Sequence, residues 1–173
     1  TGRGLLEELS PDEAERARAA LGRWEARLHS VGRDVEARRS ALDALSGVEP
    51  ASEVGREVAL MRAAAALDEG RYGLAEDEVL PLLSEGPESP QYARVRMILA
   101  LAGWQQNRVD EARIFLDEAI DGVDQDSAPA LWGRLHALRA RVLAPGGNVQ
   151  EAIYHAFEAW RVFRRGGDAY GEA

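Results

Sequence analysis

The sequence predicts an all-α protein, an α-α superhelix of stacked antiparallel helical hairpins with about seven to eight helices. Three observations predict it. Strand signals are almost absent, since β-branched residues are few and Ala, Leu, Arg and Glu dominate. Apolar residues recur at helical spacing: Val95, Ile98, Leu99 and Ala102 mark one stripe, and Val109, Ala112, Leu116, Ala119 and Ile120 mark the next. Small residues repeat as well. Ala75, Ala112 and Ala152 each follow another alanine (Ala63, Ala100, Ala140) by twelve residues and a turn-former (Gly70, Asn107, Gly147) by five, with unit spacings of 37 and 40.

The first fifty residues allow two readings. Ser10, Pro11 and Glu13 form a helix start, with a serine cap, proline in the first turn and a glutamate placed for a capping box. From Ala14 to Leu45 an unbroken heptad follows, through Leu21, Trp24, Leu28, Val31 and Leu42, with Arg38 its single offence. That is one long helix able to pair two subunits in a coiled coil. The alternative breaks at Gly32, aligns Gly32-Arg33 with Gly70-Arg71, and gives a degenerate first hairpin in which Glu25 takes the small-residue position.

Residues 51–167 are expected to form three hairpins, at about 52–86, 89–123 and 127–166. Two helices joined by a two- or three-residue turn lie close only where their contact positions are small. Ala63 should therefore face Ala75, Ala100 face Ala112, and Ala140 face Ala152. Gly70, Asn107 and Gly147 sit where a helix ends in a left-handed residue. Pro81 should kink or shorten the second helix of its unit. Ser89 with Pro90 should start the middle hairpin, and Arg164-Arg165-Gly166-Gly167 should close the last helix. Residues 168–173 read as the start of a further helix, and the chain, beginning at Thr1, as part of a longer polypeptide.

This pattern resembles the tetratricopeptide repeat, a helix–turn–helix unit with small residues in both helices and glycine at the turn. The residues that carry the resemblance are Ala63, Gly70, Tyr72 and Ala75; then Ala100, Asn107, Val109, Ala112 and Ala119; then Ala140, Gly147, Val149, Ala152 and Ala159. The early aromatic of the first helix is missing, the closing proline is irregular, and the units exceed the usual length of about 34 residues. The chain is thus similar to the longer, looser repeats of bacterial regulatory and signalling proteins. The resemblance implies that the first helix of each hairpin lines an inner groove. Carried over unit by unit, the groove positions are Glu57, Leu60, Ala64, Leu67 and Asp68; Arg94, Met97, Leu101, Trp104 and Gln105; and Arg134, Ala137 and Arg141. An apolar stripe flanked by Arg94, Arg134 and Arg141 on an acidic protein fits an acidic peptide or free carboxylate with an apolar anchor. The alternative is that Met97, Leu101 and Trp104 are covered by a neighbouring helix. The lysine and asparagine residues of the carboxylate clamp that binds chaperone tails are absent.

Composition narrows the function classes. Hydrophobic residues make up 46% of the 173, which argues for a folded chain. No apolar run approaches the roughly 20 residues that span a bilayer, so a membrane is not an expected partner. A net charge of −9 opposes phosphate backbones, so nucleic acid is not one either. Cysteine is absent, which removes disulfides and thiolate metal sites and fits a cytoplasmic location. Every side chain with a fixed positive charge is arginine, the codon bias of a GC-rich bacterial genome.

Chemistry finds little purchase. His29, His136 and His155 stand near no metalloprotease, phosphate-loop or nucleophile motif. Glu151, His155 and Glu158 share a helical face, an arrangement that solvated helices produce constantly. Pairs such as Glu7 with Glu8 or Glu76 with Glu78 lack an apolar pocket to separate their pKa values. Neither catalysis nor a cofactor is expected. The leading expectation is a protein–protein interaction module within a larger bacterial protein. The alternative is a sensor or dimerisation segment of a transcriptional regulator or signalling enzyme, paired as a homodimer through the N-terminal heptad.

Overall fold

Seven helices make up the regular structure of the computed structural model, which describes residues 35–45, 47–49, 51–86 and 91–165. They are α1 (Val35–Asp43), α2 (Glu53–Asp68), α3 (Tyr72–Val79), α4 (Tyr92–Gln105), α5 (Val109–Asp121), α6 (Pro129–Leu143) and α7 (Val149–Arg165). The described residues contain no strand. The chain divides into two compact units, Thr1–Arg71 and Tyr72–Ala173, each described by itself. The division falls inside the first of the three expected hairpins.

In the first unit α1 packs on α2 through Ala41, Leu42 and Ala65, with Met61 alongside. Arg38, which offends the heptad, is buried, and its Nη1 donates to Asp68 Oδ2 at 2.7 Å. One turn's advance along the surface, Arg39 reaches Glu69 at 2.6 Å, and Arg62 donates to the Leu42 carbonyl at 3.1 Å. Arg39 and Arg71 hold the Glu69 carboxyl below its ordinary range, against the opposing effect of burial, which is the largest single influence. Ser52 caps α2, its Oγ accepting from the Gly55 N–H at 3.0 Å. Both readings of residues 11–46 turn on Gly32, which lies outside the described residues.

The turns behave as the repeat requires. Gly70, Asn107 and Gly147 all take positive φ, at 72°, 63° and 79°. Asn107 is the one non-glycine residue to do so among those described. At the first two turns the same pair of hydrogen bonds closes the helix. The Arg71 N–H donates to the Ala66 carbonyl at 2.8 Å and the Arg108 N–H to Gly103 at 2.7 Å; Gly70 donates to Leu67 and Asn107 to Trp104, each at 3.0 Å.

In the second unit α3, α4, α5, α6 and α7 pack in series, each on the next. Pro81 shortens its helix as expected: α3 ends at Val79 and Leu80–Glu85 continues as a 3-10 turn, because proline lacks the N–H and crowds the preceding turn. The expected start of α4 at Ser89-Pro90 lies outside the described residues. Ala100 and Ala112 are fully buried and share one core with Ala93, Leu116, Ala119, Leu135, Leu138 and Val142. In the third hairpin the tight position is elsewhere. Ala152 is buried but Ala140 is only half-buried, and the closest approach is at Gly133 near the start of α6. A Cβ there would stand 2.9 Å from the Phe163 ring and 3.3 Å from Val162. Gly133→Leu is therefore expected to cost about 1–3 kcal/mol by overpacking. A Cβ at Gly103 would meet nothing closer than 3.7 Å. Gly103→Ala should accordingly stabilise by about 0.5–1 kcal/mol. Urea melts of the two variants should move in opposite directions.

Candidate functional site: the α4–α6 face

The first helices of the second and third hairpins supply the face. On α4, Met97, Leu101 and Trp104 recur at helical spacing, and each is half-buried with its inner side against the core cluster. Their remaining surface is open. On α6, Arg134 and Arg141 are exposed and two turns apart, with half-buried Ala137 between them. The Arg141 guanidinium lies 4.8 Å from the centroid of the Trp104 ring. That contact joins the two helices into one surface, and such a contact contributes about 0.5–1 kcal/mol when exposed.

Electrostatics distinguish this face from the rest of the unit. Most other arginines there already hold a carboxylate: Arg96 pairs with Glu118, Arg108 with Glu76 and Glu111, Arg139 with Asp117, and Arg161 with Glu158. Among the described residues Arg134 makes no ion pair, and Arg141 has only the tryptophan ring. Arg94 is half-buried on the same helix as Trp104. The expected groove residues of the first hairpin fare differently. Leu60 is 2% exposed, a core position whose side chain is not offered to a partner, and this corrects its placement in a groove. Leu67 is half-buried and, like Leu60, belongs to the first unit.

The trio of Glu151, His155 and Glu158 does not converge. Glu151 is engaged by Arg139 at 3.4 Å, and Glu158 by Arg161 at 2.6 Å. His155 instead turns its Nδ1 to His136 Nδ1, 3.0 Å away across the α6–α7 hairpin. Trp132 stacks on His136 at 3.8 Å between centroids. Burial pushes His136 down from 6.5 to about 4, with His155 and Arg161 adding repulsion. Burial also lowers His155, as does Arg139, while Glu151, Asp117 and Glu158 pull the other way. The sequence held a signal for this pair: His136 stands four residues before Ala140 and His155 three after Ala152, so closing the hairpin opposes them. Among the described residues no group of three His, Asp or Glu side chains is placed to hold a metal ion. No described helix is long and apolar enough to cross a membrane. No family model matches the chain, and no curated protein matches its sequence.

Proposed function

We propose that the chain is a helical-repeat interaction module of a cytoplasmic bacterial protein, and that its α4–α6 face binds an acidic peptide segment carrying one apolar side chain. The observation that carries this is the surface of Met97, Leu101 and Trp104 beside two exposed arginines without carboxylates, on a chain of net charge −9. An acidic chain ordinarily neutralises its arginines internally, as Arg96, Arg108 and Arg139 do. Leaving Arg134 and Arg141 unneutralised is useful to a ligand that brings its own carboxylates. Trp104 and the two arginines are the side-chain types that dominate binding energy at interfaces. The tetratricopeptide resemblance supports the same choice of face.

The test is an array of acidic peptides, each with a single Leu, Phe or Trp, probed with the chain. Selected peptides should bind at least tenfold more weakly to Arg134→Ala and to Arg141→Ala, a loss of about 1.4 kcal/mol, with unchanged thermal melts. Binding should also weaken as salt rises. An array with no binder above background, or equal affinity in both variants, would overturn the proposal.

A further inference from the structure

The last helix carries a second surface that the α4–α6 face does not use. Val149, Ile153, Phe157 and Trp160 lie at helical spacing on one side of α7 and are between 50% and 63% exposed. Tyr154 flanks them at similar exposure, and the Phe157 and Trp160 rings touch, 5.6 Å between centroids. The opposite side of the helix is the one that packs inward, through Ala152, Glu158, Ala159 and Val162. A continuous apolar stripe of this size marks an interface, whereas single exposed hydrophobics do not. The repeat shows what such a face is for. One unit earlier the counterparts of Val149 and Trp160 are Val109 and Ile120, and both pack into the core that α6 helps to build.

We infer that this stripe pairs with its own copy, two α7 helices lying antiparallel across a two-fold axis at Phe157. Three features of the helix point to a second copy. The stripe is nearly symmetric about Phe157, so Ile153 and Tyr154 of one copy meet Trp160 of the other, and the phenylalanines meet on the axis. The cations sit at one end, with Arg161, Arg164 and Arg165 in the last turn and Glu151 in the first. Antiparallel packing separates the two cationic ends, and parallel packing would superpose them. Charge then matches across the axis. At about 1.5 Å per residue, Glu151 lies about 9 Å from the axis, between the levels of the second copy's Arg161 and Arg165 at about 6 and 12 Å. Glu151 and Arg165 share one flank of the stripe, and in an antiparallel pair equivalent flanks adjoin. Arg165 makes no ion pair among the described residues.

The area sets the strength. Three half-exposed aromatics, at roughly 150–250 Å² apiece when fully buried, with Val149 and Ile153, bury on the order of 500 Å² per copy. About 1,000 Å² in all is the low end of specific interfaces, so the dimer dissociates in the micromolar range.

Sedimentation velocity over about 1 to 500 µM tests this with the intact chain. The expected result is a concentration-dependent monomer–dimer equilibrium that weakens at least tenfold in Phe157→Asp. That side chain is 55% exposed, so the substitution should leave the thermal melt unchanged. Glu151→Arg should weaken the dimer, and adding Arg165→Glu should restore it. A strict monomer at the highest concentration would overturn the inference. So would a dimer that survives Phe157→Asp, which would place the contact elsewhere on the chain. Peptide binding at Arg134 and Arg141 is read separately, so either proposal can fail alone.

Discussion

Leu116→Ala should destabilise the second unit by about 2–5 kcal/mol, as a buried leucine truncated beside large neighbours leaves a cavity that the surroundings fill only in part. Leu116 is fully buried on α5, in the core that α4 supplies with Ala93 and Ala100 and α6 with Leu135, Leu138 and Val142. Its loss is felt by three helices together. In a serial array each element is held by its neighbours, so the effect should appear as one cooperative shift in the unfolding of the unit. Ile114 supplies the comparison. It is two residues away on the same helix and 57% exposed, and Ile114→Ala should change stability by no more than about 0.5 kcal/mol. Urea titrations followed by circular dichroism separate the outcomes. Equal midpoints for the two variants would mean that α5 does not sit between α4 and α6.

Leu116 was legible because it lies on a stripe repeating every three to four residues, and the helices follow from such stripes. The turns were legible for a different reason: few residues tolerate positive φ, so Gly70, Asn107 and Gly147 stand out even in one sequence. What periodicity encodes is which side of a helix faces inward. It does not encode how near the neighbour comes. The alanine offsets therefore located the tight contact of the second hairpin at Ala100 and Ala112 but missed Gly133, whose partner Phe163 lies 30 residues on. Leu60 was misplaced for the same reason, since a residue at the rim of an apolar stripe can turn to either side. Long-range ion pairs leave no periodic trace at all. Arg38 looked like an error in a heptad until Asp68, also 30 residues away, supplied its partner. On the candidate face, the arginines were legible as residue types. That Arg141 rests on Trp104 depends on the packing of α6 beside α4, which only the structure provides.

Acid should destabilise the second unit well before its carboxylates titrate, through His136. The imidazole is 3% exposed, and its Nε2 finds no hydrogen-bond partner among the described residues. A proton on Nε2 would be an orphaned buried donor, so the neutral ring carries its proton on Nδ1 and donates to His155 Nδ1. His155 then bears its own proton on Nε2, which faces Glu151 at 3.9 Å. A further proton has no good place. On His136 Nε2 it lacks an acceptor, and on His155 Nδ1 it confronts a donor at 3.0 Å. Arg161 and Arg139 oppose either cation. The folded-state pKa of His136, about 4, thus lies below the unfolded value of 6.5, and the unfolded chain binds more protons between them. Stability rises with pH across that window: the contribution is complete above 6.5 and is lost as pH falls toward 4. The slope approaches about 1.4 kcal/mol per pH unit, and the whole loss is roughly 3 kcal/mol. His136→Phe keeps an aromatic ring against Trp132 and removes the titrating group. Its stability, measured by urea titration from pH 7.5 to 4, should fall less steeply than that of the parent by about one proton. A variant with the parent's slope would show that the histidine pair does not take up the proton, and that Glu69 or another carboxylate governs the acid limb instead.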